Sequence, residues 1–295
     1  MEKEITKEEI ARLLPKRKRD THKGCYGRAA IVAGSEEFLG APVLATAACL
    51  RSGAGYTYLF TPIKAYTMYA TKLPEAIVAR LGIRARKRLL DFDALAIGMG
   101  MGASKKTAAL VEWLLQNFTG RLVLDADALN ALSAFGKERL ADMFAHKKCD
   151  AIVTPHIKEF SRLTGESVQA ILQNPTKLAK RYAKTWGVTV LLKSAYSVVT
   201  DGERVAVNRT GTAGQAKGGS GDLLSGLIAG LCAQRLSAYE GGLAGAYLAG
   251  KAAELAAEEH GEYSLLASDT ITKLGSTLVR LRVAENADEQ GDEKK

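Results

Sequence analysis

The sequence predicts an α/β fold with a mainly parallel central sheet. Apolar, β-branched runs alternate with helical patterns along most of the chain, which is typical of βαβ units. Several runs are continuously apolar rather than alternating, as in LAIG, LVLD and VTVLLK. Such runs indicate strands that are buried on both faces of a sheet.

Strands are predicted wherever an apolar run is bounded by glycine or proline. They are Ala30–Ala33, Tyr56–Phe60, Ala76–Ala79, Ala94–Ile97, Leu122–Leu124, Ala151–Val153, Val188–Leu192, Ser197–Thr200 and Val205–Val207. The stretch from Tyr196 to Val207, with its Asp201-Gly202 turn, predicts one antiparallel pair.

Helices are predicted between these strands and after the last one. They are Pro42–Arg51, Lys105–Phe118, Ala128–Ala134, Glu159–Leu163, Thr176–Trp186, Asp222–Gln234, Ala238–His260 and Ser268–Arg282, with a charge-rich helix candidate in MEKEITKEEIARLL. No linker rich in proline, glycine or serine divides the chain, so residues 1–282 are interpreted as a single domain. The polar residues 283–295 are predicted to form a disordered tail.

Composition excludes dominant disorder and a membrane span. The 295 residues are 47% hydrophobic and 25% charged, as in ordinary globular proteins. The longest apolar run, near Leu223–Ala233, is shorter than the roughly 20 residues that cross a bilayer. No charged-then-apolar leader opens the sequence, so a cytoplasmic protein is expected. The net charge of +9 permits anionic partners without selecting among them.

The cysteines do not indicate a metal site. Cys25, Cys49, Cys149 and Cys232 form no CxxC pair and have no histidine at ligand spacing. A zinc site is therefore not expected, and a reducing compartment fits.

The glycine-rich segment that ends at Asp222 gives the strongest local signal. Five glycines lie between Gly211 and Gly221, and a predicted helix follows at once. Backbone N–H groups in such a turn, with the helix N-terminus, form an anion site suited to phosphate, here Gly218, Gly219, Ser220 and Gly221. The segment lacks the GK[ST] of a Walker A loop. Asp222 is interpreted either as a helix-stabilising acid or as a base beside this hole.

Polar residues also follow other predicted strands, where ligands bind in doubly wound sheets. Asp125 and Asp127 could hold Mg²⁺ or orient a substrate, or they could stabilise the turn and cap a helix. His156 could be catalytic or structural, and Glu159 could pair with it or cap a helix. Lys193 could meet a nucleotide phosphate or solvent.

Two further features are less specific. The GMGMG run that ends at Gly102 permits close backbone approach of a ligand, or only a tight turn. The basic run Lys16–Arg19 suggests a solvated surface or an anion-binding one. No aromatic interleaving supports nucleic-acid binding.

Seven segments of the chain follow one another in a recognisable order. They are HKGCYGRAAIVAGS, FLGAPVLATAACLRSGAG, IGMGMG, LDADALNAL, TPHIKEFSRL, LLKSAYSVVTDG and GTAGQAKGGSGDLLSG. Together they resemble the ADP/ATP-dependent (S)-NAD(P)H-hydrate dehydratase family of the ribokinase-like superfamily. GGSGD is shared with many ribokinase-like kinases, whereas PHxxEF and HKGxxG are more specific to the dehydratases. The resemblance implies a three-layer α/β/α sandwich over about residues 20–275.

The resemblance also implies a reaction and its site residues. The family phosphorylates the ring hydroxyl of NADHX or NADPHX with ADP or ATP and Mg²⁺, then eliminates phosphate to restore NADH or NADPH. By position, Ala41, Gly102 and His156 would contact the substrate, and Asp222 would be the base. The nucleotide would bind Gly221 and the strand end Lys193, Ser194, Ala195, Tyr196 and Ser197. A cytoplasmic homo-oligomer, a tetramer by family habit, is implied.

The chain departs from the family pattern at three places. The family commonly has proline at Met99, glycine at Lys158 and KGAxT where Lys193–Ser197 stands. Lys158 would add positive charge near substrate phosphates, and Ser197 keeps a hydroxyl group. About 25 residues before the first predicted strand leave no room for the N-terminal epimerase of many bacterial relatives, so action on the S epimer alone is expected.

Two alternatives remain open from the sequence. The first is a ribokinase-like kinase of a vitamin-precursor alcohol, a thiazole or a pyrimidine, which would release a stable phosphorylated product. The second is a non-enzymatic nucleotide- or nucleic-acid-binding module that uses the basic run.

Overall fold

One sheet of 10 strands organises the chain. The structure, a computed structural model, describes residues 2–62 and 66–292, with side chains through Leu281 in the last helix. The strands are β1 Lys3–Glu4, β2 Arg28–Val32, β3 Tyr56–Thr61, β4 Ile77–Arg80, β5 Ala94–Ile97, β6 Arg121–Leu124, β7 Asp150–Val153, β8 Thr189–Leu192, β9 Ser197–Thr200 and β10 Val205–Asn208. Their order across the sheet is β1-β10-β9-β8-β7-β6-β5-β2-β3-β4.

Strands β2 to β8 are parallel, and antiparallel pairing is confined to β8–β9 and β9–β10 among the described strands. The predicted mainly parallel sheet is therefore confirmed. So is the hairpin, since Val205 faces Thr200. The sequence predicted one antiparallel pair, and β8–β9 is a second. Because β2 lies between β3 and β5, the chain continues from β2 and from β5 toward opposite ends of the sheet. The carboxyl ends of these strands form a switch point, where doubly wound sheets bind ligands.

Thirteen α-helices are described. They are α1 Lys7–Leu13, α2 Gly40–Arg51, α3 Tyr66–Lys72, α4 Ile83–Leu89, α5 Lys105–Asn117, α6 Asp127–Ser133, α7 Lys137–Ala145, α8 Ile157–Thr164, α9 Val168–Gln173, α10 Pro175–Trp186, α11 Ser220–Ala233, α12 Ala238–Ser264 and α13 Ala267–Asp292.

The helices cover the two faces of the sheet and form separate cores. Strand β2 shows the alternation, since Ala29 and Ile31 pack toward α2, α11 and α12, whereas Ala30 and Val32 pack toward α5, α6 and α10. Strands buried on both faces read as continuous apolar runs, as the sequence predicted.

Helices α2 and α11 cross at very short range because glycine forms their contact. A Cβ atom on Gly226 would lie 1.8 Å from the carbonyl oxygen of Ala45. One on Gly230 would lie 2.0 Å from the Ser52 hydroxyl oxygen. This contact fixes α11 against the sheet and so fixes the position of its N-terminus.

The structure corrects several boundaries. Strand β1 begins the region predicted as a helix, and α3, α4, α7 and α9 were not predicted. The last helix was predicted to end at Arg282, but its backbone remains helical to Asp292. The tail predicted from residue 283 thus begins within the bounds of this helix, and residues 293–295 lie outside the described residues.

Candidate functional site

The candidate residues meet at the carboxyl edge of the sheet. Strands β7 and β8 extend by one further pairing, between His156 and Lys193, and the Lys193 N–H donates to Pro155 O at 2.8 Å. His156 and Lys193 are therefore neighbours, as expected for residues that follow adjacent parallel strands. Asp125 follows β6, the next strand along the sheet.

Lys193 forms a mostly buried ion pair with Asp125. Its Nζ lies 2.8 Å from Asp125 Oδ1, and the Ser225 hydroxyl donates to Asp125 Oδ2 at 2.8 Å. Burial disfavours the charged ammonium, but the carboxylate of Asp125 outweighs this effect and raises the pKa of Lys193. Lys193 is therefore a fixed cation, and the interpretation that it faces bulk solvent is wrong.

The ammonium of Lys193 lies against the first turn of α11. A Cβ on Gly221 would lie 3.3 Å from Lys193 Nζ. The first intrahelical bond is donated by Leu223 N–H to Gly219 O at 3.0 Å, so the N–H groups of Ser220, Gly221 and Asp222 have no partner within the helix. A lysine beside the positive end of a helix is an arrangement that binds anions.

The glycines before α11 serve different purposes. Gly219 has φ +98°, and its Cα packs so closely on Leu44 that a Cβ would lie 2.5 Å from that side chain. A Cβ on Gly218 would meet no atom within 4 Å. Gly218 therefore borders open space, whereas Gly219 shapes the turn.

Contacts with α12 hold the start of the glycine-rich segment. The Gly211 N–H donates to Glu254 Oε1 at 2.8 Å, the Thr212 hydroxyl contacts Glu262, and Lys217 contacts the Tyr263 carbonyl. No sequence pattern singled out Glu254, Glu262 or Tyr263, because they lie far along the chain in an ordinary helical pattern.

Asp222 occupies the first turn of α11 with a half-buried side chain. No described group donates a hydrogen bond to its carboxylate, so it does not cap the helix. Burial, together with the charges of Asp125 and Asp127, raises the pKa of Asp222 to about 6, although Lys193 opposes the shift. A carboxylate without a donor and with a pKa near neutrality can accept a proton at physiological pH.

His156 combines an exposed ring with a helix-capping role. Its Nδ1 accepts from the N–H groups of Lys158 and Glu159 at 3.1 and 3.2 Å, and the carboxylate of Glu159 accepts from the His156 N–H at 2.9 Å. Burial, then Lys193 and Arg162, lower its pKa against the opposing charge of Glu159. The ring is therefore neutral at neutral pH, with Nδ1 as acceptor and Nε2 carrying the proton.

The loop after β5 is tied to Asp127, one of the charges that act on Asp222. The Gly102 N–H donates to Asp127 Oδ2 at 2.8 Å, and a Cβ on Gly102 would meet no atom within 4 Å. Asp127 thus ties a loop, and the prediction that it caps α6 is wrong, since Ala126 is the N-cap residue and no side chain caps this helix. In the facing loop after β2, Phe38 is 53% exposed and contacts Gly100. Ala41 follows in the first turn of α2.

The nucleotide-binding segment predicted at the end of β8 forms a tight turn. The Ser194 hydroxyl donates to Tyr196 O at 2.7 Å, and the Ser197 hydroxyl donates to Ser194 O at 3.2 Å. The Arg209 guanidinium lies 4.9 Å from the centre of the exposed Tyr196 ring. Ala195, between Ser194 and Tyr196 in this turn, is exposed. Lys158, the departure in the PHIKEF segment, is also exposed.

Other singled-out residues lie away from this site. Arg17 of the basic run packs on the Tyr26 ring, 4.0 Å from its centre, and contacts the Gly53 carbonyl near the amino end of β3. Cys49, Cys149 and Cys232 are buried and Cys25 is exposed, all as free thiols. Burial raises the pKa of Cys49 and Cys149 to about 12, so these thiols stay protonated. The described part of the chain contains no cluster of three His, Cys, Asp or Glu residues that could hold a metal ion by itself, and no helix long and apolar enough to cross a membrane.

Comparison with known proteins decides the family. The family model described as NAD(P)H-hydrate dehydratase matches residues 29–275. The chain belongs to the NAD(P)H-hydrate dehydratase family. A dehydratase structure from Bacillus subtilis, co-crystallised with ATP and Mg²⁺, superposes with a TM-score of 0.85 at 30% identity and covers 95% of this chain and 98% of its own. The ribokinase-like fold implied by the resemblance is thereby confirmed.

Relatives of this family come in two lengths. The ADP-dependent (S)-NAD(P)H-hydrate dehydratase of Cenarchaeum symbiosum is 36% identical over 269 residues, 87% of this chain and 90% of its own. The bifunctional NAD(P)H-hydrate repair enzyme of Moorella thermoacetica is 36% identical over 282 residues, 91% of this chain. The chain spans 52% of that bifunctional relative, about half of its length.

Proposed function

We propose that the protein dehydrates the S epimer of hydrated NADH and NADPH with ADP or ATP as phosphate donor. The observation that carries the proposal is Asp222. Its half-buried carboxylate receives no hydrogen bond from the described groups, and it lies in the first turn of α11, where the charges of Lys193, Asp125 and Asp127 act on it. Phosphoryl transfer to a hydroxyl requires this combination of a base and a phosphate cradle. Membership of the dehydratase family supports the choice of acceptor.

The residues fall into two sets around Asp222. The substrate set is Ala41, Gly102 and His156, of which Gly102 leaves room for a ring and His156 presents a neutral imidazole. The nucleotide set is Lys193, Ser194, Ala195, Tyr196 and Ser197 with Gly221, and the phosphate would lie in the hole formed by Gly218, Gly219, Ser220 and Gly221. The contact of Lys193 with the α11 turn supports placing the transferred phosphate there.

The proposed reaction has two steps that balance. In the first, Asp222 takes the proton of the ring hydroxyl, whose oxygen bonds to the terminal phosphorus of ADP while the bond to the AMP oxygen breaks. In the second, the carbon–oxygen bond to phosphate breaks and the neighbouring ring carbon loses a proton. The products are NADH or NADPH, AMP and inorganic phosphate. Lys193 and the α11 N–H groups stabilise the charge on the transferred phosphoryl group.

Mg²⁺ fits this site as a companion of the nucleotide. Of the three nearby carboxylates, two already accept hydrogen bonds from the protein. Asp125 accepts from Lys193 and Ser225, and Asp127 accepts from the Gly102 N–H. The chain thus offers few free ligands, which suits an ion that keeps several waters and binds through substrate phosphates. The free carboxylate of Asp222 is the group that would hold its water shell. When bound, Mg²⁺ neutralises charge on the phosphates.

The proposal also covers the cellular compartment and the oligomeric state of the protein. NADH, NADPH and ADP are cytoplasmic metabolites, and the three buried free thiols suit a reducing compartment, so we place the enzyme in the cytoplasm. We propose a homo-oligomer, a homotetramer by resemblance to the family, without nucleic-acid or membrane partners. Light scattering of the purified protein measures the assembly, and a monomeric mass would contradict it.

The test mixes enzyme and Mg²⁺ with NADHX, and separately with NADPHX, in the presence of ADP, of ATP or of neither. We expect nucleotide-dependent growth of dihydronicotinamide absorbance with equal release of inorganic phosphate. A rise with ADP and not ATP, or the reverse, identifies the donor. No rise, with stable phosphorylation of a thiazole or pyrimidine alcohol instead, would replace this function with that of a vitamin-precursor kinase.

A further inference from the structure

We propose that Asp125-Ala126-Asp127 is a brace that positions both halves of the site, the phosphate side through Asp125 and the substrate loop through Asp127. The names of the two ligands rest on the proposed function, whereas the brace itself rests on geometry. Asp125 and Asp127 are positioning residues in this proposal, since they act through Lys193, Ser225 and Gly102.

The Asp127 arm holds Gly102, the point of its loop where no neighbouring atom would contact a Cβ. Gly102 has φ +78° and faces open space, and its N–H is fixed by Asp127 Oδ2 at 2.8 Å. The Thr107 hydroxyl donates to the Gly102 carbonyl at 2.7 Å and anchors its other side. Loss of the Asp127 hydrogen bond would release the Gly102 N–H, whereas the Gly102 carbonyl would stay bound to Thr107. Gly102 would then stay near its position but lose its fixed orientation.

The Asp125 arm holds two groups of the phosphate side. One oxygen pairs with Lys193 and the other accepts from Ser225, which lies one turn beyond Asp222 on α11. Asp125 is 1% exposed, so both bonds are made out of water and are correspondingly strong. This arm sets the position of the Lys193 ammonium relative to the helix N-terminus.

The residue between the two acids has a strained backbone. Ala126 has φ +48° and ψ −118°, a conformation that residues other than glycine rarely adopt. Such strain costs about 1–3 kcal/mol and persists only where the surroundings enforce it. Here the surroundings are close, because a Cβ on Gly98 would lie 1.9 Å from the Asp125 carbonyl oxygen. The strained turn directs the two carboxylates to different elements.

The brace also places two negative charges near Asp222. Both Asp125 and Asp127 raise the pKa of that carboxyl group. A neutral replacement of Asp127 would remove one of these two charges without leaving a buried cation unpaired.

The test compares the binding of two ligands by Asp127→Ala, Asp127→Asn and wild-type protein. Calorimetry with ADP and fluorescence with NADPH give two dissociation constants that do not require turnover. For Asp127→Ala we expect NADPH binding weakened about tenfold and ADP binding unchanged. Asp127→Asn keeps an acceptor oxygen for the Gly102 N–H, so it is expected to restore most of the NADPH affinity.

Ser225→Ala tests the other arm without leaving a charge unpaired in the interior. It removes one bond to Asp125 and is expected to weaken ADP binding about threefold to tenfold, with NADPH binding unchanged. Asp142→Asn is the matched control, since Asp142 is an exposed carboxylate on α7 that pairs with His146 at 3.1 Å. It is expected to leave both affinities as in wild type.

The outcomes separate the brace from the proposed function. Equal effects of each variant on both ligands, or none, would overturn the brace, as would a control variant that behaves like the others. If wild-type protein lacks dehydratase activity, but the Asp127 variants weaken only NADPH binding and Ser225→Ala weakens only ADP binding, the proposed function is wrong and the brace is supported. Wild-type protein that binds neither ADP nor NADPH would overturn both.

Discussion

The glycines within α11 and those just before it do opposite things. Gly226 and Gly230 are packed against α2, where a Cβ would lie 2.0 Å or less from another atom. Gly218 borders open space, and Gly221 faces only Lys193 and Asp125 within 4 Å. In one short stretch of chain, some glycines thus permit close packing of two helices, and others leave space for a ligand at the helix N-terminus. The packed region fixes the helix, and the open region leaves its N-terminal N–H groups free for a ligand.

The largest effect is expected from Gly226→Ala. The added methyl group would meet the Ala45 carbonyl at 1.8 Å, so α2 and α11 would have to separate. We expect the free energy of unfolding to fall by about 3 kcal/mol or more, measured by chemical denaturation. Gly275→Ala on α13 is the control, because its Cβ would meet no atom within 4 Å. It is expected to stabilise the protein by about 0.5–1 kcal/mol, since alanine favours helix. Equal effects at the two positions would contradict the packing described.

Asp222→Asn is expected to stabilise the fold while it removes the base. The free carboxyl group ionises near its ordinary pKa of 3.8, whereas in the folded protein it holds its proton to about 6. The folded state therefore loses stability as pH rises through this interval, and the full penalty applies above it. After allowance for partial exposure, we expect a gain of about 1–2 kcal/mol above pH 6, measured by denaturation. The gain should vanish below the ordinary pKa, and a loss of stability at neutral pH would contradict the burial of charge.

Gly218→Ala tests the open half of the comparison. Its Cβ would enter empty space, so we expect the free energy of unfolding to change by less than about 0.5 kcal/mol. The same methyl group would intrude on a phosphate held at the α11 N-terminus, and ADP binding should weaken about tenfold. Calorimetry measures the affinity. Unchanged affinity for ADP would place the phosphate elsewhere.

Truncation after Arg282 is expected to have the smallest effect. The backbone of α13 continues to Asp292, but the residues of this extension are mostly polar. We expect a change in unfolding free energy of less than about 0.5 kcal/mol and unchanged turnover. A large loss in either measurement would assign the extension a packing role.

Much of the sheet was predictable, because a strand covered on both faces must be continuously apolar. The runs that became β5, β6 and β8 show this directly. Strand β1 was missed because its two residues, Lys3 and Glu4, are charged and lie at the edge of the sheet. Helix α4 was missed because IRARKRL is short and four of its seven residues are basic, so its apolar face is reduced to Ala85 and Leu89.

The site was predictable where the signal is local. The glycine density before Asp222 indicated an anion hole, and strand ends indicated Asp125, His156 and Lys193. The contacts among these residues were not predictable, because the Lys193–Asp125 and Ser225–Asp125 partners lie 68 and 100 positions apart. The same holds for Glu254 and Glu262, whose support of the glycine-rich segment depends on where α12 packs.

The most direct test of the proposed mechanism is the pH dependence of kcat/KM for NADHX dehydration, in wild-type protein and Asp222→Asn. The free-enzyme pKa of Asp222 is about 6, so the wild-type value should be level above that pH and fall about tenfold per unit below it. The variant should bind ADP, lose about 100-fold or more in turnover and lack this transition. A wild-type profile that is level through this range, or a variant with the wild-type rate, would contradict Asp222 as the base.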